Sequence, residues 1–183
     1  MHTQKESPNL KLLVVHPNTY TDARGQYTEI YNNTWVPNLT FIQDDAILST
    51  KGVFRGYHGD YDTWKYVTCL FGKFELSVAC IDPQNPMYGR EETFVLNGTE
   101  KTAILIPPKY VNGHQCLSDV CIFFYKQTTL YRGEKSAYTV QCTDFGKEWS
   151  LLPILSQRDK ERAKHHTDYI QNGILLKPEE VNS

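Results

Sequence analysis

The sequence predicts an all-β domain with a jelly-roll barrel or sandwich of antiparallel strands and a short C-terminal helical segment. Three observations carry this. The chain is rich in strand-forming aromatic residues, with 12 Tyr and 8 Phe in 183 residues, and they occur in short β-branched and aromatic stretches that suit a pleated, half-buried surface. Gly, Pro, Asn and Asp separate these stretches at short intervals, as turns between strands do. No repeat, low-complexity segment or shift of composition marks a second domain, so one domain is predicted over 1–183, with its core at about 10–160 and a tail at 161–183.

In chain order, the predicted strands are 10–16 and 25–31, then the short pair 40–43 and 46–49, then 52–58, which ends in Arg55-Gly56-Tyr57-His58. Strands 65–70 and 73–81 flank Phe71-Gly72-Lys73 and are predicted to form a hairpin with Gly72 in the turn. After the loop Asp82-Pro83-Gln84-Asn85-Pro86 come 92–96, 102–106, 113–117, the strongly apolar 120–127, and 138–142. This many short strands favours a closed architecture, which protects sheet edges better than an open sheet. The charged stretch 157–166 is predicted as one or two helical turns capped by Ser156. The tail after Tyr169 is expected to fray or to cover a neighbouring subunit.

Charge excludes several function classes. Nineteen basic against 21 acidic residues leave a formal net charge of −2, too little field to gather a nucleic-acid backbone or an anionic membrane. Mean hydropathy is −0.50, and apolar runs such as Ile104-Leu105-Ile106-Pro107-Pro108 fall far short of the roughly 20 residues of a spanning helix. The polar first eight residues lack the apolar core of a secretion signal, so a cytoplasmic location is expected. Five cysteines without a C-x-x-C pair suit reduced thiols packed as small core residues. Cys116, near the Pro-Pro segment, is also a candidate pocket residue.

Six histidines, at 2, 16, 58, 114, 165 and 166, include no His-x-His pair in the strand region. A divalent ion needs three or four convergent ligands, so no metal site and no cofactor are predicted. Taken singly, the polar candidates favour plain structural roles. A histidine at a strand end is more often solvated or hydrogen-bonded than catalytic, Lys65 would be an edge charge, and Tyr125 a core phenol. By period-two alternation, Arg55 and Tyr57 face one side of their strand, Gly56 and His58 the other.

Their combination in chain order changes the weighing. Thr50 to His58, Lys65, Gly72, Ile106-Pro107-Pro108, Leu117-Ser118-Asp119 and Phe124-Tyr125-Lys126-Gln127-Thr128 together resemble the dTDP-4-dehydrorhamnose 3,5-epimerases. Asp22-Ala23-Arg24-Gly25 and Pro153 to Asp159 extend the resemblance to about residues 10–160. In finer detail, His58-Gly59-Asp60, Tyr66-Val67-Thr68-Cys69 and an Asn after the prolines look more like the bacterial epimerases of GDP-linked 4-keto-6-deoxyheptoses.

The resemblance implies a metal-free cupin jelly roll, usually a homodimer, that inverts carbons beside the ketone of a nucleotide-linked 4-keto-6-deoxy sugar. It implies His58 as base, Asp159 as its partner, Lys65 as stabiliser of the C4 oxygen and Tyr125 as acid on the opposite face. It places Arg55 at the diphosphate, Arg24, Tyr27 and Glu29 at the nucleotide, often from the partner subunit, and Gln43, Asp45 and Tyr131 at the substrate. Asp159 alone could equally be a first-turn helix carboxylate.

Two departures stand out. Asn112 occupies the position of a second pocket histidine in the dTDP-rhamnose enzymes and cannot exchange a proton near neutrality. His114, two residues on, is a candidate to fill part of that gap. The connection from His58 to Lys65 is also shorter, which implies a differently shaped sugar or nucleotide. Single-centre epimerisation and a catalytically silent sugar-nucleotide-binding cupin are the competing expectations.

Overall fold

The computed structural model describes residues 2–182; Met1 and Ser183, the ends of the predicted domain span, lie outside the described residues. The strands are β1 Thr3–Glu6, β2 Leu13–His16, β3 Thr19–Asp22, β4 Gly25–Thr28, β5 Gln43–Thr50, β6 Phe54–Gly59, β7 Lys65–Phe71 and β8 Lys73–Cys80. They continue as β9 Glu91–Asn97, β10 Ala103–Ile106, β11 Tyr110–Cys116, β12 Val120–Gln127, β13 Tyr138–Thr139, β14 Ile170–Gln171 and β15 Ile174–Leu175, with helices α1 Gln157–Arg162 and α2 Pro178–Val181. Two antiparallel sheets dominate, ordered β1-β2-β10-β7-β12-β5 and β13-β6-β11-β8-β9.

The sheets enclose the main core, in which Val14, Val67, Ile104 and Phe123 of the first meet Phe74, Leu76, Val78 and Cys116 of the second. Alternate residues of the same strands build two outer cores. Tyr57, Val111, Tyr138 and Tyr169 pack behind the second sheet, and Val15, Trp35, Tyr66 and Leu105 behind the first. Central strands are therefore buried on both faces, which is why they read as near-continuous apolar runs. Cys69, Cys80, Cys116 and Cys121 are buried and Cys142 partly so. Cys116 belongs to the core, its thiol donating to the Ser49 and Ser118 carbonyls, and does not line the cavity.

Four details differ from expectation. The segment Phe71-Gly72-Lys73 is a corner between sheets, not a hairpin turn: β7 pairs with β10 and β12, β8 with β11 and β9. Gly72 has φ +71°, and a Cβ there would lie 2.1 Å from the Val120 carbonyl, so the crossing requires glycine. In place of the predicted strands 40–43 and 46–49 there is one strand, β5, which begins at Gln43 and leaves 40–42 outside it; Asp44 pairs outward with Lys126 at 2.6 Å while Asp45 turns inward to the cavity. β1 and β3 escaped the hydrophobic pattern because their residues are polar and largely exposed. The helix stops at Arg162, since Lys164 pairs in parallel with Val140, its N–H donating to the Thr139 carbonyl. His165 and His166 then turn to the Asp144 carboxylate, at 2.7 and 2.9 Å.

The tail also folds back on its own chain. Tyr169 and Leu175 are buried behind the second sheet, and Asn182 donates to the Lys135 and Ala137 carbonyls. Tyr169→Ala is expected to lower unfolding free energy by about 3–5 kcal/mol, the range for deleting a large buried side chain. Chemical denaturation followed by tryptophan fluorescence checks this, and a loss under about 1 kcal/mol would mean that the tail is dispensable.

Candidate active site

A cavity of about 590 Å³ opens between the two sheets at one end. The first sheet supplies Gln43, Asp45, Lys65 and Tyr125, and the second supplies Arg55 and His58. Ser156, Arg158 and Asp159 close one side from α1 and its cap. A smaller lobe of about 90 Å³ lies against the same group, walled by Asn112, His114 and Phe123.

Arg55 and His58 share this cavity, contrary to strict alternation. The cause is a bulge: His58 pairs with Asn112 and Arg55 with His114, so Gly56 and Tyr57 stand opposite the single residue Gly113. Close approach fixes the glycines, since a Cβ on Gly56 would sit 2.5 Å from Gly113 Cα. The extra residue sends Tyr57 into the outer core and returns His58 to the cavity.

His58 Nε2 is 2.8 Å from Asp159 Oδ1. Asp159 stands in the first turn of α1, where Ser156 Oγ accepts from its backbone N–H at 3.1 Å and donates to its Oδ2 at 2.9 Å. The helix-start position and the pairing with histidine therefore coexist in one residue. Burial alone would raise the Asp159 pKa, but the hydrogen bonds from His58 and Ser156, the Arg158 charge and, once His58 is protonated, the imidazolium charge hold it below the usual carboxylate range. Burial lowers the His58 pKa; Asp159 opposes that, and Arg158 and Lys65 add to it. The imidazole is thus neutral near pH 7, as a proton acceptor must be.

On the opposite wall, Lys65 Nζ is 6.0 Å from the centre of the Tyr125 ring and 2.7 Å from Asp60 Oδ2. Tyr125 and Asp45 are direct cross-strand partners. Burial first, then the charge and hydrogen bonding of Asp45, push the Tyr125 pKa above that of a free phenol, so it keeps its proton. Gln43 ties this wall to the rim, donating to Asp45 Oδ2 at 2.8 Å and accepting from the Tyr131 backbone N–H at 2.8 Å. The Tyr131 ring is 60% exposed at the mouth. Arg55 donates from Nε to Ser49 Oγ at 3.0 Å.

His114 is not a surface residue. It stacks on Phe123 with ring centres 4.1 Å apart, and burial, aided by Arg55 and His58, pushes its pKa down to about 3. It is an uncharged ring whose buried Nε2 has no hydrogen-bond partner among the described residues and which lines the small lobe. Asn112 lines the same small lobe, together with Arg55, His58, Lys65 and Tyr125.

A sequence model of the dTDP-4-dehydrorhamnose 3,5-epimerase family matches residues 9–166. The chain belongs to this family. The family's enzyme from Salmonella typhimurium is 32% identical over 161 residues, covering 81% of this chain and 87% of its own. That of Methanothermobacter thermautotrophicus is 29% identical over 160 residues, covering 81% and 86%. Among solved structures, the Legionella pneumophila epimerase in complex with dTDP-4-keto-L-rhamnose superposes with TM-score 0.86 at 26% identity, covering 97% of this chain and 98% of its own. The protein is accordingly an isomerase, an epimerase acting on a sugar nucleotide.

Within this epimerase, not every predicted site residue meets the cavity. Arg24, Tyr27 and Glu29 lie on or beside the β3–β4 hairpin, which pairs with neither large sheet. Arg24 is bound to Asp22 at 2.6 Å, Tyr27 is 68% exposed, and Glu29 accepts from Asn32 at 2.9 Å. Conversely, Asp60 and Arg158 hold functional groups in place and were assigned no role from sequence. Their only signal was adjacency, two residues after His58 and one before Asp159. Among the described residues no helix is long and apolar enough to cross a membrane, and no three His, Cys, Asp or Glu side chains cluster as a metal site would require.

Proposed function

We propose that this epimerase inverts C3 and C5 of a nucleoside-diphosphate-linked 4-keto-6-deoxy sugar. The observation that carries this is the arrangement of a neutral imidazole on one sheet, a protonated phenol on the other, and an ammonium beside the phenol. A proton next to a ketone is acidified because the electrons of its C–H bond can move to the C4 oxygen. His58 takes that proton, and Asp159 steadies the imidazolium formed. Lys65 opposes the charge growing on oxygen, a contribution that exists mainly in the transition state. Tyr125 then gives its proton to the other face of the same carbon, which completes the inversion. His58 returns its proton to solvent, and solvent restores the phenol.

Arg55 receives the diphosphate with its charged, planar fork, Gln43, Asp45 and Tyr131 contact the sugar, and Asn112 steers a hydroxyl or keto oxygen. The free-standing hairpin with Arg24, Tyr27 and Glu29 suits a homodimer in which it reaches the partner's nucleotide. The family's name supports a dTDP-linked hexose. A GDP-linked heptose is the second reading, favoured by Asn112 and by the short connection from His58 to Lys65.

Incubation with dTDP- and GDP-linked 4-keto sugars in deuterated water, followed by NMR, tests both. Deuterium at C3 and C5 with inversion at both is the expected result, and the nucleotide supporting exchange identifies the donor. Label at one carbon alone would reduce the enzyme to a single-centre epimerase. Binding without label would leave a silent sugar-nucleotide-binding cupin.

A further inference from the structure

The small lobe of about 90 Å³ shares His58, Lys65 and Tyr125 with the main cavity and is lined in addition by Asn112, His114 and Phe123. His114 is 2% exposed, and its Nε2 has no hydrogen-bond partner among the described residues. The ring is held in its plane by Phe123, stacked at 4.1 Å with 10° between planes, and by Phe74 at 5.3 Å. Both neighbours are hydrocarbon rings, and neither can satisfy an imidazole. A buried polar group without a partner is destabilising. A phenyl ring in the same place would keep the stack without that cost, so the nitrogens need a reason to be there.

The chemistry of the wall narrows the guest. Burial keeps the His114 ring uncharged near neutrality, so it offers one N–H and one lone pair, and the Asn112 carboxamide offers both capacities as well. A hydroxyl, which donates and accepts, matches either side chain. Size narrows it further. At the liquid-water share of roughly 30 Å³ each, the lobe has room for about three non-hydrogen atoms. A ring hydroxyl adds a single such atom to its carbon. Apart from the nucleotide, the chain on C5 is the one substituent of the sugar that can be longer, and C5 is one of the carbons inverted between His58 and Tyr125.

Resting on the reading of this cavity as the site of a 4-keto-6-deoxy sugar nucleotide, we propose that the small lobe is a subsite for a hydroxyl-terminated chain on C5, two carbons and one oxygen long, with His114 and Asn112 as its hydrogen-bond partners. The preferred sugar then has seven carbons. A six-carbon sugar ending in a methyl group leaves the buried imidazole unsatisfied, and a site built to bond a hydroxyl rejects the analogue lacking it more strongly than an apolar pocket rejects a change of one methylene.

Unreactive ligands test this without turnover. The probes are the 6-deoxyhexose and the 6-deoxyheptose in which a hydroxyl replaces the C4 ketone, each linked to dTDP and to GDP. By calorimetry the heptose should bind at least about tenfold more tightly than the hexose on the better nucleotide. His114→Phe keeps the stack on Phe123 and removes both nitrogens, so it should narrow that ratio to below about threefold through loss on the heptose side. An unchanged ratio in the variant, which would set His114 against a hydroxyl common to both sugars, overturns the subsite, and so do equal affinities in the unaltered protein. Should His114→Phe not fold, nitrogen-15 NMR of the ring-labelled protein decides. The His114 resonances should move with the heptose bound and stay at their free-protein positions with the hexose, and the same spectrum with both overturns the proposal. Deuterium exchange with the 4-keto sugars tests the epimerase reading itself, and its failure would leave these binding ratios as they are.

Discussion

His58→Asn is expected to abolish deuterium entry at the carbons beside the ketone and to lower turnover by at least about a thousandfold, within the range for removing a general base. Asparagine has no lone pair that can hold a proton near neutrality, and its shorter amide stops short of the place where Nε2 meets the buried Asp159 carboxylate. Because burial lowers the His58 pKa, the unaltered enzyme should lose activity only as pH falls below about 6.5, the ordinary imidazole value, where the base becomes protonated. Above that, activity should be level with respect to this group. Solvent-exchange NMR on the variant and a pH profile of kcat/KM check the two halves. Residual exchange above about a tenth of the original rate would remove His58 from the base role.

Tyr125→Phe is expected to separate two events that normally occur together. His58 remains able to remove a proton and return one from solvent to the same face, so deuterium should still enter while inversion falls by about a hundredfold or more. The retained ring preserves the packing against Phe123, whose centre is 5.7 Å away, so fold and cavity should persist. The measurement is the ratio of label incorporated to product inverted, read in one NMR time course. Were label and inversion to fall in parallel, the phenol would be supporting enolate formation instead of delivering the second proton.

Much of this arrangement was legible in the sequence, and the misses share physical causes. The central strands were readable because they are rich in apolar and aromatic residues, as in Val120–Gln127, matched to the residue. β1 and β3 were not, since an exposed strand carries no hydrophobic signal. The corner at Gly72 mimics a hairpin because glycine serves both, and only pairing partners across the chain tell them apart. In the site, His58, Lys65, Tyr125 and Asp159 were found through ordered motifs, and they meet in one cavity. Period-two counting failed at Arg55 and His58 because the bulge opposite Gly113 depends on two strands at once. Arg158 was passed over because a lone arginine in a charged stretch looks like any solvated helix residue.

Because the proposed proton acceptor and donor, His58 and Tyr125, are carried by different sheets, the span between them is fixed by the thickness of the hydrophobic interior, about 10 Å in any stacked pair of sheets. The loops around the mouth carry no part of that measurement. Evolution or an engineer could therefore lengthen, shorten or recharge them to admit another sugar while the reactive gauge stayed constant. A substitution among Val67, Phe74 or Phe123, far from any sugar, is where that gauge would be lost.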